Sequence, residues 1–187
     1  TIDEKRVISS TGALSLNKCP KKLVVIGAGY IGLELGTVWA RLGAKVEVIE
    51  FLPRILPGMD DEIAKKFMAI AKKQGLSFRL STAVKQAKSS KAGVTLIVEP
   101  ADAGKPESIS ADIALVSVGR HPATDGLGLE AAGIALTERG RIAVDTRFET
   151  SLDDVYAIGD VIDGPMLAHK AEEDAVAAVE MMAGRAG

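Results

Sequence analysis

Short apolar runs alternate with amphipathic stretches along most of the chain. Leu23-Val24-Val25-Ile26 is unbroken, and such a run suits a strand buried on both faces. A glycine-rich turn follows. Ile31, Leu35, Val38 and Leu42 then recur three or four apart, which predicts a helix ended by Gly43. Val46-Glu47-Val48-Ile49 predicts the next strand, completing one β-α-β unit. Pro53 and Pro57 mark a loop. Asp60 and Asp61 suit the start of a second helix, Ile63, Phe67, Ile70 and Ala71 its apolar stripe, and Gly75 its stop.

The pattern then shortens. Ser77 to Leu80, Ala83 to Ala87 and Val94 to Val98 predict short strands, with Gly93 and the polar segment from Pro100 to Glu107 as turns of an antiparallel hairpin. Ile113 to Val118 predicts another buried strand, closed by Gly119. Val155 to Ile158 predicts a short strand, Gly159-Asp160 a turn, and Leu167 to Met182 a long alanine-rich helix. The predicted fold is α/β: a Rossmann-like parallel sheet with flanking helices and an antiparallel hairpin or meander. Residues 1–20 read as an incoming linker with one short strand, 21–150 as a dinucleotide-binding domain, and 151–187 as the start of a further segment.

Composition narrows the function classes. The chain has 187 residues, and 23 Lys and Arg against 25 Asp and Glu give a formal net charge of −2. No basic surplus points to nucleic acid. No apolar run reaches the roughly 18–20 residues of a membrane span. One cysteine, Cys19, allows no internal disulfide and no dithiol site, and two histidines limit metal chemistry. Cys19 itself is expected to be a buried or linker thiol. The chain opens on Thr1, and the expectation is a piece of a longer intracellular protein.

Gly27-Ala28-Gly29-Tyr30-Ile31-Gly32 is the GxGxxG pattern. Alone the pattern is weak. Here it follows a buried strand, opens an amphipathic helix, and meets an acid, Glu50, at the end of the next strand, roughly 20 residues on. Gly27 permits the tight turn, Gly29 lets a pyrophosphate approach the backbone, and Gly32 lets the helix pack on the sheet, with Gly36 extending that contact. Helix N–H groups attract the phosphates. Glu50 would accept hydrogen bonds from the adenosine ribose and repel a 2′-phosphate, which favours NAD over NADP. Arg54 nearby could blur that choice. From residue chemistry alone Glu34 reads as an exposed helical carboxylate.

The segment from Val25 to Gly36 resembles the nicotinamide-binding motif of the flavoprotein disulfide reductases. Val118-Gly119-Arg120, Tyr156-Ala157-Ile158-Gly159-Asp160 and Met166-Leu167-Ala168-His169-Lys170-Ala171 match further motifs of that family in the same order. The last of these, with Glu50-Phe51-Leu52, points to the dihydrolipoamide dehydrogenase branch. The resemblance implies an NAD domain plus the start of a central, FAD-contacting segment. Gly27, Ala28, Gly29, Tyr30, Ile31, Gly32, Leu33 and Glu34 would line the NAD phosphates and nicotinamide ribose. Glu50 would hold the adenosine ribose, Val84 would lie by the adenine, and Gly119 near the nicotinamide. Asp160 would bond FAD, and Met166, Leu167, Ala168 and His169 would pass by the flavin ring.

The resemblance further implies an oxidoreductase of cell redox homeostasis. It would be a homodimer that reoxidises dihydrolipoamide on the lipoyl-bearing acyltransferases of 2-oxoacid dehydrogenase or glycine cleavage complexes. Its location would be cytoplasmic, or the mitochondrial matrix in a eukaryote. The family's redox-active cysteine pair, first FAD glycine motif and catalytic histidine are not matched, so no catalytic residue is assigned. The chain alone is expected to bind NAD weakly, hold FAD poorly and be inactive, with its last segment poorly ordered or packed on another copy. The NAD domain of a mercuric or glutathione reductase and a non-catalytic NAD-binding module remain the alternatives.

Overall fold

A computed structural model describes residues 1–102 and 104–185; the last two positions of the expected terminal segment lie outside the described residues. The chain divides into two compact units, Thr1–Gly119 and Arg120–Gly187.

The first unit is built on a parallel sheet of β1 (Val7–Ile8), β2 (Lys22–Ile26), β3 (Lys45–Ile49), β4 (Leu76–Arg79) and β8 (Ile113–Val116), in the order β1-β8-β2-β3-β4. A short helix α1 (Ser10–Leu14) follows β1. Crossover helices α2 (Tyr30–Arg41) and α3 (Asp61–Lys73) join β2 to β3 and β3 to β4. The remaining strands, β5 (Thr82–Ser89), β6 (Val94–Pro100) and β7 (Glu107–Ala111), form a separate antiparallel sheet.

The unbroken apolar runs have a direct cause in this layering. Leu23, Val25, Val46, Val48, Ile113 and Leu115 pack with Leu33, Trp39, Ala64 and Ala71 on the helical side. Their neighbours Val24, Ile49 and Ala114 point the other way, onto Val94, Leu96, Val98 and Ile109 of the antiparallel sheet. Side chains alternate across a strand, so a strand covered on both faces is apolar at every position. Each fully buried Leu, Ile or Val stabilises by roughly 1.5–3 kcal/mol relative to exposure.

The helices form where expected, but their buried stripes are turned. In α2 the buried positions are Gly32, Leu33, Gly36 and Trp39, while Val38 and Leu42 are exposed. The two glycines bring the helix close to the sheet and so fix which face turns inward. A Cβ on Gly36 would sit at contact distance, 3.5 Å, from Val25 and Val46. In α3, Ala64 and Ala71 are buried and Ile63 and Ile70 exposed. Asp60 caps α3, accepting from the N–H groups of Glu62 and Ile63 at 2.9 and 3.1 Å. Gly43 and Gly75 follow the helix ends with φ of +107° and +98°.

Three further readings are corrected. The residues after the expected turn, given no element from sequence, form a strand: β7 starts at Glu107, pairs with β6 and completes a meander. The expected linker is integrated, since Val7 and Ile8 are buried and pair with Ala114 and Leu115. Cys19 is exposed, which removes the buried option.

The second unit is mostly irregular. It holds α4 (Leu129–Ala132), a 3₁₀ turn at Gly159–Val161, α5 (Ala168–Met182), and a small core of Ile142, Ala157 and Ile162. The strand expected at Val155–Ile158 is reduced to a single bridge, Glu149 to Tyr156. That bridge, and the Ile142 N–H bonded to the Val161 carbonyl at 2.8 Å, tie residues before Thr150 to residues after it. The compact unit therefore starts at Arg120, before the composition shift at Thr150. The last segment forms α5 and packs in part on its own unit. Asp174 and Ala178 of α5 are buried within the chain, although Val176, Val179 and Met182 remain exposed.

Candidate functional site

In the first unit the glycine loop leaves β2 and enters α2 at the carboxyl edge of the parallel sheet. Gly27 has φ +101°, and a Cβ there would lie 2.5 Å from the Ser117 carbonyl oxygen. A Cβ on Gly32 would lie 2.4 Å from the Gly27 carbonyl oxygen and 2.5 Å from Ser117 Oγ. Both positions are closed by the protein itself. Gly29 differs: a Cβ there would meet nothing within 4 Å. Its ordinary φ of −75° does not demand glycine either. The packing around Gly29 thus gives no reason for a missing side chain, whereas an incoming phosphate does.

Gly29 is also the N-cap of α2, with no side-chain cap and no acid in the first turn. With no acid and no side-chain cap there, the positive helix end favours an external anion. These observations fit the diphosphate of a dinucleotide.

Glu50 lies against this loop, buried at 8% exposure. Its Oε2 accepts from the Ala28 N–H at 2.6 Å and its Oε1 from the Leu52 N–H at 2.8 Å. The Ala28 carbonyl in turn accepts from the Leu56 N–H at 2.9 Å. Leu56 has φ +49°, a conformation that costs a non-glycine residue on the order of 1 kcal/mol. The loop after β3 is thereby sewn to the glycine loop on both sides of Ala28. A carboxylate has about four acceptor positions, so the two backbone bonds leave capacity for further donors such as hydroxyls.

Arg54 is directed elsewhere. It pairs with Asp61 at the start of α3 and donates to the Met59 carbonyl. Val84 is half-buried beside the cluster shared by the two sheets, at a bulge in β5. That strand begins at Thr82, whose N–H donates to the Glu50 carbonyl at 2.9 Å, so Val84 enters on the Glu50 side of the unit. Gly119 is exposed, with open space about it and φ +145°. Glu34 and Tyr30 are exposed, Ile31 half-buried and Leu33 buried.

Ser117 was not singled out by sequence and belongs to this loop. Its hydroxyl reaches the Ile26 carbonyl at 3.1 Å and the Gly27 carbonyl at 3.3 Å, closing the turn from behind. A hydroxyl inside an apolar strand was the available signal.

In the second unit Asp160 stands in the 3₁₀ turn and pairs with Arg120 at 3.1 Å. Met166 and Leu167 are half-buried, Ala168 and His169 exposed. Leu167 is the N-cap of α5, again with no side-chain cap and no acid in the first turn. This donor set, beside a half-exposed carboxylate, suits the mixed anionic and hydroxyl surface of a flavin nucleotide. Asp174, also not singled out, accepts from the Gly159 N–H at 2.9 Å. Among the described residues no group of three His, Cys, Asp or Glu is placed to hold a metal ion. No helix among them is long and apolar enough to cross a membrane.

Comparison with known proteins agrees with this geometry. The family model of pyridine nucleotide-disulphide oxidoreductases matches residues 1–175. Dihydrolipoyl dehydrogenase 2, mitochondrial, of Arabidopsis thaliana is 58% identical over 187 residues, which cover 100% of this chain and 37% of that protein. Dihydrolipoyl dehydrogenase, mitochondrial, of Bos taurus is 55% identical over 188 residues, again 100% of this chain and 37% of the relative. A leghemoglobin reductase of Glycine max is 56% identical, with 36% of its length covered. The names of the two dehydrogenases place those proteins in mitochondria and lend a cytoplasmic location no support.

Among solved structures, the flavoprotein disulfide reductase RclA of Escherichia coli superimposes with a TM-score of 0.85 at 33% identity, over 96% of this chain and 40% of that one. LpdA of Mycobacterium tuberculosis gives 0.86 at 26% identity, over 98% and 39%. The chain therefore spans little more than a third of the relatives it matches, and over that span it belongs to the pyridine nucleotide-disulphide oxidoreductase family.

Proposed function

We propose that this chain is the NAD-binding portion of a dihydrolipoyl dehydrogenase, followed by the start of its flavin-contacting segment. The carrying observation is the empty surround of Gly29 beside a buried Glu50 whose carboxylate grips the same loop. Identity of 55–58% to the dehydrogenases of Bos taurus and Arabidopsis thaliana supports the branch. When bound, the two nucleotides supply the hydride chemistry of the whole enzyme. This chain's own residues bind and orient. The α2 amides and Gly29 take the diphosphate, with Gly27, Ala28, Tyr30, Ile31, Gly32, Leu33 and Glu34 lining it. Glu50 takes the adenosine ribose, Val84 borders the adenine, and Gly119 borders the nicotinamide end. Asp160 and residues Met166 to His169 take FAD.

In this reading the chain arrives from an FAD domain, the unit Thr1–Gly119 holds NAD, and the unit Arg120–Gly187 begins the central segment. The whole protein is a homodimer in the mitochondrial matrix that serves lipoyl-bearing acyltransferases, and the isolated chain does not retain FAD. Calorimetric titration of the 187-residue chain with NAD and with NADP tests the reading. It expects one NAD site with NADP bound much more weakly. Equal affinity, or no binding, overturns it. Stoichiometric flavin absorbance in the purified chain would contradict the part concerning FAD.

A further inference from the structure

We propose that Asp174, together with Lys170, is a positioning residue that locks the Gly159–Asp160 turn to the first turn of α5. The inference rests on the reading that this turn and residues Met166 to His169 face a flavin. Asp174 Oδ2 accepts from the Gly159 N–H at 2.9 Å and from Lys170 Nζ at 2.6 Å. Lys170 Nζ also approaches the Gly159 carbonyl at 3.5 Å. Both polar groups of one glycine are thus engaged by a single ion pair on one helix.

The backbone at that glycine is specialised. Its φ is +72°, and a Cβ would lie 3.0 Å from the Ala171 Cβ, so the turn and the helix already touch. The placement of the acid needs an explanation of its own. Asp174 is 9% exposed and shares the inward side of α5 with Ala178. An apolar residue there would bury without desolvating a charge, and a buried ion pair is weak grounds for stability alone. What the pair achieves instead is registration. Lys170 lies one residue past His169, and its partner holds the residue preceding Asp160. The two segments read as facing the flavin are therefore fixed to each other, while the Asp160 carboxylate pairs with Arg120 at 3.1 Å.

The test uses the full-length flavoprotein and measures flavin release by recovery of flavin fluorescence, with melting temperature alongside. Asp174→Ala should release flavin about ten-fold faster or more, as expected for loss of a hydrogen bond to a charged group. Asp174→Asn keeps an acceptor for the Gly159 N–H and should stay within about three-fold of the parent. Asp160→Ala is the check on the underlying reading, and Ala178→Gly lowers helix stability without touching Gly159. If Asp160→Ala speeds release while Asp174→Ala does not, the clamp is wrong and the flavin reading stands. If Asp160→Ala has no effect, the flavin reading falls and the clamp's purpose with it. If Ala178→Gly releases flavin as fast as Asp174→Ala at equal melting temperature, Asp174 serves stability only and the proposal is overturned.

Discussion

The Glu50 carboxylate accepts a 2.6 Å hydrogen bond from the backbone N–H of Ala28, joining the end of β3 to the glycine loop that follows β2. The acid is thus part of the loop's own architecture as well as a candidate ribose ligand. Glu50→Gln retains the shape but offers the loop one acceptor oxygen where two amides need partners. We expect a loss of about 1–3 kcal/mol in chemical denaturation, the cost of a buried unsatisfied donor. Discrimination between NAD and NADP should weaken together with it, read by titration of both. Full retention of discrimination would refute the ribose role.

Arg54 offers the complementary test. Its guanidinium is engaged by Asp61 and the Met59 carbonyl. Arg54→Ala should therefore leave the ratio of NAD to NADP affinity unchanged. A shift of that ratio by ten-fold would mean that the side chain turns toward the nucleotide.

The glycines of the loop should separate binding from folding. Gly29→Ala places a methyl group in open space and changes an N-cap glycine, which costs at most about 1 kcal/mol. Its melting temperature should stay close to the parent's while NAD affinity falls by at least about ten-fold, roughly 1.4 kcal/mol. Gly32→Ala sets a methyl group 2.4 Å from a carbonyl oxygen and should cost about 1–3 kcal/mol in stability. Equal stability of the two variants would contradict the assignment.

Acid sensitivity should trace in part to Asp3. Its carboxyl is held far below the ordinary carboxylate range, chiefly by the Ser89 hydroxyl and then by the N–H groups of Arg6, Lys5 and Val7, against a small opposing effect of burial. Between the folded and unfolded values the unfolded chain binds more protons, so stability rises with pH across that window. The contribution is complete above about pH 5 and fades as acid approaches the lower folded value. Asp3→Asn should flatten the acid limb of a stability–pH curve measured by urea denaturation, leaving the slope near neutral pH unaltered.

Much of the first unit is legible because β2 and β8 are covered on both sides and read as continuous apolar runs. The Asp60 cap and the glycines after α2 and α3 marked helix ends by simple chemistry. The orientation of α2 was less legible. Ile31, Leu35, Val38 and Leu42 kept helical spacing, yet Gly32 and Gly36 were the residues that lay on the sheet. Glycine carries no hydropathy signal, so a helix that packs by closeness is misphased by a count of large apolar residues. β7 was missed because Glu107-Ser108-Ile109-Ser110-Ala111 buries only its alternate positions and its charged start resembles a turn. Around the candidate site, the spacing of Gly27, Gly29, Gly32 and Glu50 predicts the juxtaposition that the structure shows. Ser117 and Asp174 were not legible, because each acts by bonding a main-chain group distant in sequence. Asp174 had left one trace: an acid four residues from Lys170, on the inward side of a helix.

The placement of β1 carries a further consequence. The chain enters the first unit on a strand paired directly with β8, on which it leaves. Because the two run parallel, the points of entry and exit are separated by about one four-residue strand, roughly 13 Å. A body whose two leads emerge so near one another can be spliced into a host polypeptide without stretching either lead. Such a unit fits between two stretches of a longer polypeptide while leaving their own framework continuous around it.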